Sequence, residues 1–90
     1  MTDTLRPARP IHPGVILRRE MKAQGKSQRW LWSHSMLSIR QIRGLVREQY
    51  PVTEHVAYQL ARALGTSPEF WLKLQRQYDE AVAASEEKPQ

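Results

Sequence analysis

Helix punctuation is the feature that most limits what this chain can fold into. Ser27, Ser38, Thr53 and Ser67 each stand where a side-chain oxygen can accept a backbone N–H at the head of a helix. Gly25 and Gly65 stand where a left-handed residue can end one, and Pro51 stands where a helix must stop. Pro13 and Pro68 suit a first helical turn, in which the missing N–H is no loss. A chain divided this way has room only for short helices. The apolar residues between the signals recur at three and four rather than alternating, so no segment reads as a strand.

The intervals give an all-α reading with five helices. The first runs from Pro13 to Gly25 with a stripe of Val15, Ile16, Leu17 and Met21. A short second one, Gln28 to about His34, carries Trp30, Leu31 and Trp32. Met36 and Leu37 form a tight connection, and Ser38 caps a third helix reaching about Glu48, with Ile39, Ile42, Leu45 and Val46 at helical spacing. The fourth follows Thr53 and buries Val56, Ala57, Leu60, Ala61 and Leu64, while the fifth opens at Pro68 and continues through Phe70, Trp71, Leu74, Tyr78 and Val82. Residues 1–12, rich in Pro and Arg, read as an extended, flexible arm, and the polar residues 85–90 as a disordered tail. The domain is then 13–84, one core and not two, because a chain of 90 residues with 40% hydrophobic content can bury no more.

Charge is distributed unevenly along this layout. Residues 1–50 hold ten Lys and Arg against Asp3, Glu20 and Glu48, whereas residues 51–90 hold four against six acids. The net charge of +5 therefore belongs to the first half, and the dense phosphate charge of a nucleic acid is the partner that suits it. No stretch is apolar and long enough for a signal peptide or a membrane span, and cysteine is absent, so the expected location is the cytoplasm and the expected chemistry includes no disulfide or thiolate.

The positive field concentrates where two short helices are joined by a tight turn, at about 27–48. The second of them is apolar on one side and carries Arg40, Gln41, Arg43, Gly44 and Arg47 on the other. A helix-turn-helix presents its second helix to the major groove while the first braces on the backbone. Arg can donate two bonds to guanine and Gln can pair with the edge of adenine. On spacing alone, the same face reads more readily as the solvated side of an ordinary helix, because basic helix faces are common.

Three blocks sharpen the reading. "IHPGVILRREM" at 11–21, "GKSQ" at 25–28 and "LARALGTSPEFWLKLQRQYD" at 60–79 resemble HigA-type, VapI-like antitoxins, small members of the Xre/Cro phage-repressor superfamily. The resemblance implies a five-helix, lambda-repressor-like DNA-binding domain. It also implies a homodimer that represses its own operon at a double-stranded DNA operator and neutralises a ribonuclease-type toxin as the antitoxin of a type II toxin-antitoxin module. Carried onto this chain, it places Gln28 at the start of the bracing helix, and Ser38, Ile39, Arg40 and Gln41 at the start of the recognition helix, with Arg43 and Arg47 further along. Helix-start amides give Gln28 and Ser38 a physical reason to lie against phosphate, and Arg6 in the arm is expected to contact the DNA backbone without reading sequence.

The chain departs from the pattern at two places. Trp32 stands where the family has a small residue at the helix crossing, and Met36 where it has a glycine in the turn. An overpacked crossing, at a cost of about 1–3 kcal/mol, and a strained left-handed turn are therefore expected. The alternative function is a protein-interaction module that docks a toxin through its arm and first helix and keeps only a degenerate, non-specific helix-turn-helix.

The remaining residues carry no chemistry of their own. His12, His34 and His55 lack metal-site spacing, and the serines lack a base with an orienting acid, so neither enzyme, metal nor cofactor is expected. Phe70, Trp71, Leu74 and Tyr78 read as core and dimer packing, not as a platform for bases.

Overall fold

The computed structural model describes residues 9–86. Arg6 and most of the expected arm lie outside them, as do residues 87–90 of the expected tail. The described chain is all-helical: α1 Pro13–Gln24, α2 Gln28–Ser33, α3 Ile39–Val46, α4 Glu54–Leu64 and α5 Pro68–Glu86. α5 continues through Ser85 and Glu86, where the sequence suggests a frayed tail.

Local side-chain chemistry starts each helix. The hydroxyls of Ser27, Ser38 and Thr53 accept the N–H groups of Trp30, Gln41 and Val56, and Ser67 accepts that of Phe70. The cap of α1 is a histidine: Nδ1 of His12 accepts the Gly14 N–H at 2.9 Å. Gly25 and Gly65 close α1 and α4 in the left-handed conformation.

α3 ends earlier than Pro51 requires. Glu48 adopts a left-handed φ of 64°, the only positive φ among the described non-glycine residues. Its N–H donates to the Leu45 carbonyl and the next N–H, from Gln49, reaches back to Gly44 at 2.7 Å. That pair of bonds is a Schellman closure with glutamate in the position glycine usually fills. Arg18 of α1 secures it, donating one guanidinium nitrogen to the Val46 carbonyl and another to the Glu48 carboxylate.

The core forms where α1 packs on α3 and α5, α2 on α3, and α4 on α5. Leu17, Leu31, Ile42, Leu45, Leu60 and Trp71 are its largest apolar side chains, all essentially without solvent contact. Trp71 also satisfies its indole N–H on the Thr66 hydroxyl at 2.7 Å. Gly14 lets the first turn of α1 approach the backbone of α3 so closely that a Cβ there would overlap the Leu45 carbonyl oxygen.

Both expected distortions of the helix-turn-helix are absent. Leu31, wholly buried, is the residue of α2 that enters the core, while Trp32 turns outward and is 52% exposed. The indole therefore overpacks nothing. Met36, 76% exposed, is not left-handed either. Side chains hold that turn instead: buried Gln59 of α4 accepts the Met36 N–H at 3.0 Å, and Ser35 donates to the Leu31 carbonyl at 2.7 Å.

Candidate nucleic-acid interface

α2 and α3 meet at the Leu31, Ile42 and Leu45 side of the core, which fixes what each presents to solvent. From α3 the exposed side chains are Ile39, Arg40, Arg43 and Arg47. From α2 they are Gln28, Arg29, Trp32 and Ser33, and Gln28, Arg29, Trp32, Ile39 and Arg43 line one open depression between the two helices. The only ion pair among the described residues is Arg18 with Glu48, so Arg29, Arg40, Arg43 and Arg47 hold no carboxylate of the described chain. Among the described residues, four guanidinium groups stand uncompensated on this face. In physical terms it is suited to a polyanion with acceptor groups at its centre.

The sequence-derived set is divided by the geometry. Gln28, Ile39, Arg40, Arg43 and Arg47 stand on the open face. Ser38 and Gln41 form a capping box: the Ser38 hydroxyl accepts the Gln41 N–H at 3.0 Å, and Gln41 Oε1 accepts the Ser38 N–H at 2.9 Å. The other end of the Gln41 amide donates to the Tyr50 hydroxyl at 3.2 Å. Each end of the Gln41 amide is thus engaged once inside the protein, which gives this half-buried side chain a structural role at the helix start and leaves one N–H and one lone pair for any further partner. Ser38 likewise holds the helix start through its hydroxyl.

Three features of the face escape the residue pattern. Arg29 and Trp32 flank α3 from α2. Arg18, Lys22 and Lys26 gather beside Ser27, Gln28 and Val46, where α1 ends near the end of α3, and extend the positive surface laterally. Trp30 lies between Lys26, whose Nζ is 4.1 Å from the ring, and His34, whose ring stacks at 4.1 Å and 11°. Helical wheels of α1 and α2 would have found Arg29 and Lys22; only the packing angle of α1 against α3 brings Lys22 beside the interface.

The face expected to pair two copies is also divided. Trp71 is fully buried and belongs to the core, which removes it from any surface. Phe70 is exposed, and Leu74 and Tyr78 are half-buried on the same side of α5, lining a shallow groove with Ile11 and Ile16.

Comparison with known proteins locates the fold. Virulence-associated protein I of Dichelobacter nodosus is 39% identical over 74 residues, which span 81% of the chain and 68% of the relative. An addiction module antidote protein of a HigA family from Coxiella burnetii superposes with a TM-score of 0.82 at 35% identity, covering 88% of this chain and 87% of that one. The Pseudomonas aeruginosa antitoxin HigA, solved with the higBA promoter, gives a TM-score of 0.80 at 37% identity over 86% of this chain and 85% of its own. No protein-family model matches the chain. Identity and coverage at this level, over the same five helices, place the chain in the HigA family of antitoxins.

Proposed function

We propose that the protein is a sequence-specific DNA-binding repressor and antitoxin that acts as a homodimer in the cytoplasm. It binds the operator of its own operon and neutralises a ribonuclease-type toxin encoded with it. The observation that carries the DNA-binding half is the outward face of α3 and its C-terminal cap, where Arg40, Arg43 and Arg47 stand without carboxylate partners among the described residues. The promoter-bound Pseudomonas aeruginosa HigA supports the same use of the fold. Two such helices in a dimer reach successive major grooves about 34 Å apart on an inverted repeat. Lys22 and Lys26 supply phosphate contacts, Arg40, Arg43 and Arg47 supply base reading, and the self-association surface is the α5 side around Phe70, Leu74 and Tyr78. The arm within residues 1–12 adds sequence-independent affinity through Arg6.

Fluorescence anisotropy against the DNA upstream of the gene and a scrambled duplex, at low and near-physiological salt, tests this reading. Preference for the upstream DNA that survives salt is expected. Equal binding to both duplexes, erased by salt, would instead support the protein-interaction module. Arg43→Ala is expected to weaken upstream binding by about 1–3 kcal/mol while leaving scrambled binding nearly unchanged. Lys22→Ala should lower both alike.

A further inference from the structure

The depression between α2 and α3 is not purely basic. Trp32 is 52% exposed and Ile39 is 39% exposed, and the two share its lining with Gln28, Arg29 and Arg43. A half-open indole beside an isoleucine, ringed by two guanidinium groups and an amide, leaves apolar surface in water at the centre of the positive face. A surface of that kind gains by being covered with something that is apolar locally and anionic around it.

Among the base edges of the major groove, one group has that character: the C5 methyl of thymine, set between flanking phosphates. We infer that Trp32 and Ile39 form a thymine-methyl pocket that helps to set operator sequence. The inference rests on the DNA-binding reading above and deepens it. Ile39 and Arg43 are one helical turn apart on α3, a rise of about 6 Å, which is roughly two base-pair steps of about 3.4 Å. The thymine therefore lies within about two base pairs of the guanine that Arg43 reads. Trp32 reaches the same base from α2, so the bracing helix takes part in reading sequence as well as in positioning.

The charge around the pocket favours DNA over a protein partner as its occupant. Arg29 and Arg43 line it, Arg40 and Arg47 stand on the same face of α3, and no described carboxylate pairs with any of the four. A protein covering the indole would have to neutralise Arg29 and Arg43 beside it; a duplex does so with phosphates already in place and matches Arg40 and Arg47 as well.

The test begins by footprinting the full-length protein on its upstream DNA and replacing each thymine in the footprint with deoxyuridine, which removes only the methyl group. At one position in each half-site, the substitution is expected to lower wild-type affinity by about three- to tenfold. Trp32→Ala should bind the unmodified DNA correspondingly more weakly and no longer distinguish thymine from uracil at that position. Trp32→Phe should keep part of the discrimination. Because Trp32 lies outside the core, the variants are expected to melt like the wild type, as circular dichroism would check.

If wild-type binding prefers upstream DNA but no deoxyuridine changes affinity more than twofold, the pocket reading is wrong and the DNA-binding reading stands. The pocket reading is equally overturned if Trp32→Ala keeps full uracil discrimination, or if it changes only the assembly with the neighbouring toxin. If the wild type does not prefer upstream DNA to a scrambled duplex, both readings fail together.

Discussion

Single residues decide how closely the helices approach, and two glycines do so for different reasons. At Gly25 nothing lies within 4 Å of the place a Cβ would take, but φ is 68°, so the cost of a side chain is one of backbone conformation. At Gly14 the backbone is ordinary helix, yet a Cβ would overlap the carbonyl oxygen of Leu45 and crowd His12 Nδ1 at 3.1 Å. Neither a peptide carbonyl nor a capped helix start can step aside without moving α1 away from α3. Gly25→Ala should therefore cost about 1 kcal/mol. Gly14→Ala should cost about 2–3 kcal/mol and lower Tm by about 10 °C or more. Thermal denaturation of the two variants side by side checks the ranking, and equal losses would mean that α1 does not approach α3 as closely as described. In the sequence both residues are simply glycines. Gly25 is recognisable because a helix stop is a local signal, whereas the need for Gly14 arises from a contact with a residue far along the chain.

The same divide between local and distant causes explains what was legible at the level of helices. Starts at Ser27, Ser38, Thr53 and Pro68 were readable because caps act within three residues of themselves, and the apolar stripes correctly assigned Ile42, Leu45 and Leu60 to the core. Arg40, Arg43 and Arg47 fell on the exposed face for the same reason. The end of α3, the outward turn of Trp32 and the engagement of Gln41 were not readable, because they depend on Arg18, on Leu31 filling the crossing and on Tyr50 meeting the helix start. The end of α3 offers a direct check. Glu48 is held left-handed, which costs an L-residue about 1–2 kcal/mol, and its exposed pairing with Arg18 offsets less than about 1 kcal/mol of that. Glu48→Gly and Glu48→Ala both remove the ion pair, but only glycine also removes the strain. Urea unfolding should find the glycine variant more stable by about 1 kcal/mol, the reverse of ordinary helix preference. An alanine variant as stable as the glycine one would show that residue 48 is not left-handed.

Across the whole molecule, His12 is the point at which separate parts of the fold meet. Its ring caps α1 through Nδ1, packs edge-on against Tyr78 of α5 at 5.0 Å and lies beside the Tyr50 backbone in the segment after α3. Burial pushes its pKa below the ordinary value of 6.5, and the nearby Arg18 charge acts in the same direction; the charges of Glu48 and Asp79 and the Tyr50 backbone oppose the shift without reversing it. A cap that accepts through Nδ1 requires the neutral ring. In the unfolded chain the imidazole gains a proton near its ordinary pKa, while in the folded protein it resists doing so. The contribution of His12 is therefore fully present above about pH 6.5 and declines as pH falls toward and through the lower folded value. Urea midpoints measured between pH 7.5 and 5 should fall, and the group responsible can be separated from the carboxylates by His12→Asn, which can still cap the helix without titrating. That variant should be less stable than the wild type at pH 7.5, having lost the packing against Tyr78, but should lose less further stability on acidification. The difference between the two slopes isolates the histidine; parallel slopes would show that His12 is not the source of the acid sensitivity. Since the same ring touches α1, α5 and the segment that follows α3, acidification is expected to loosen the platform beneath α3 as a unit.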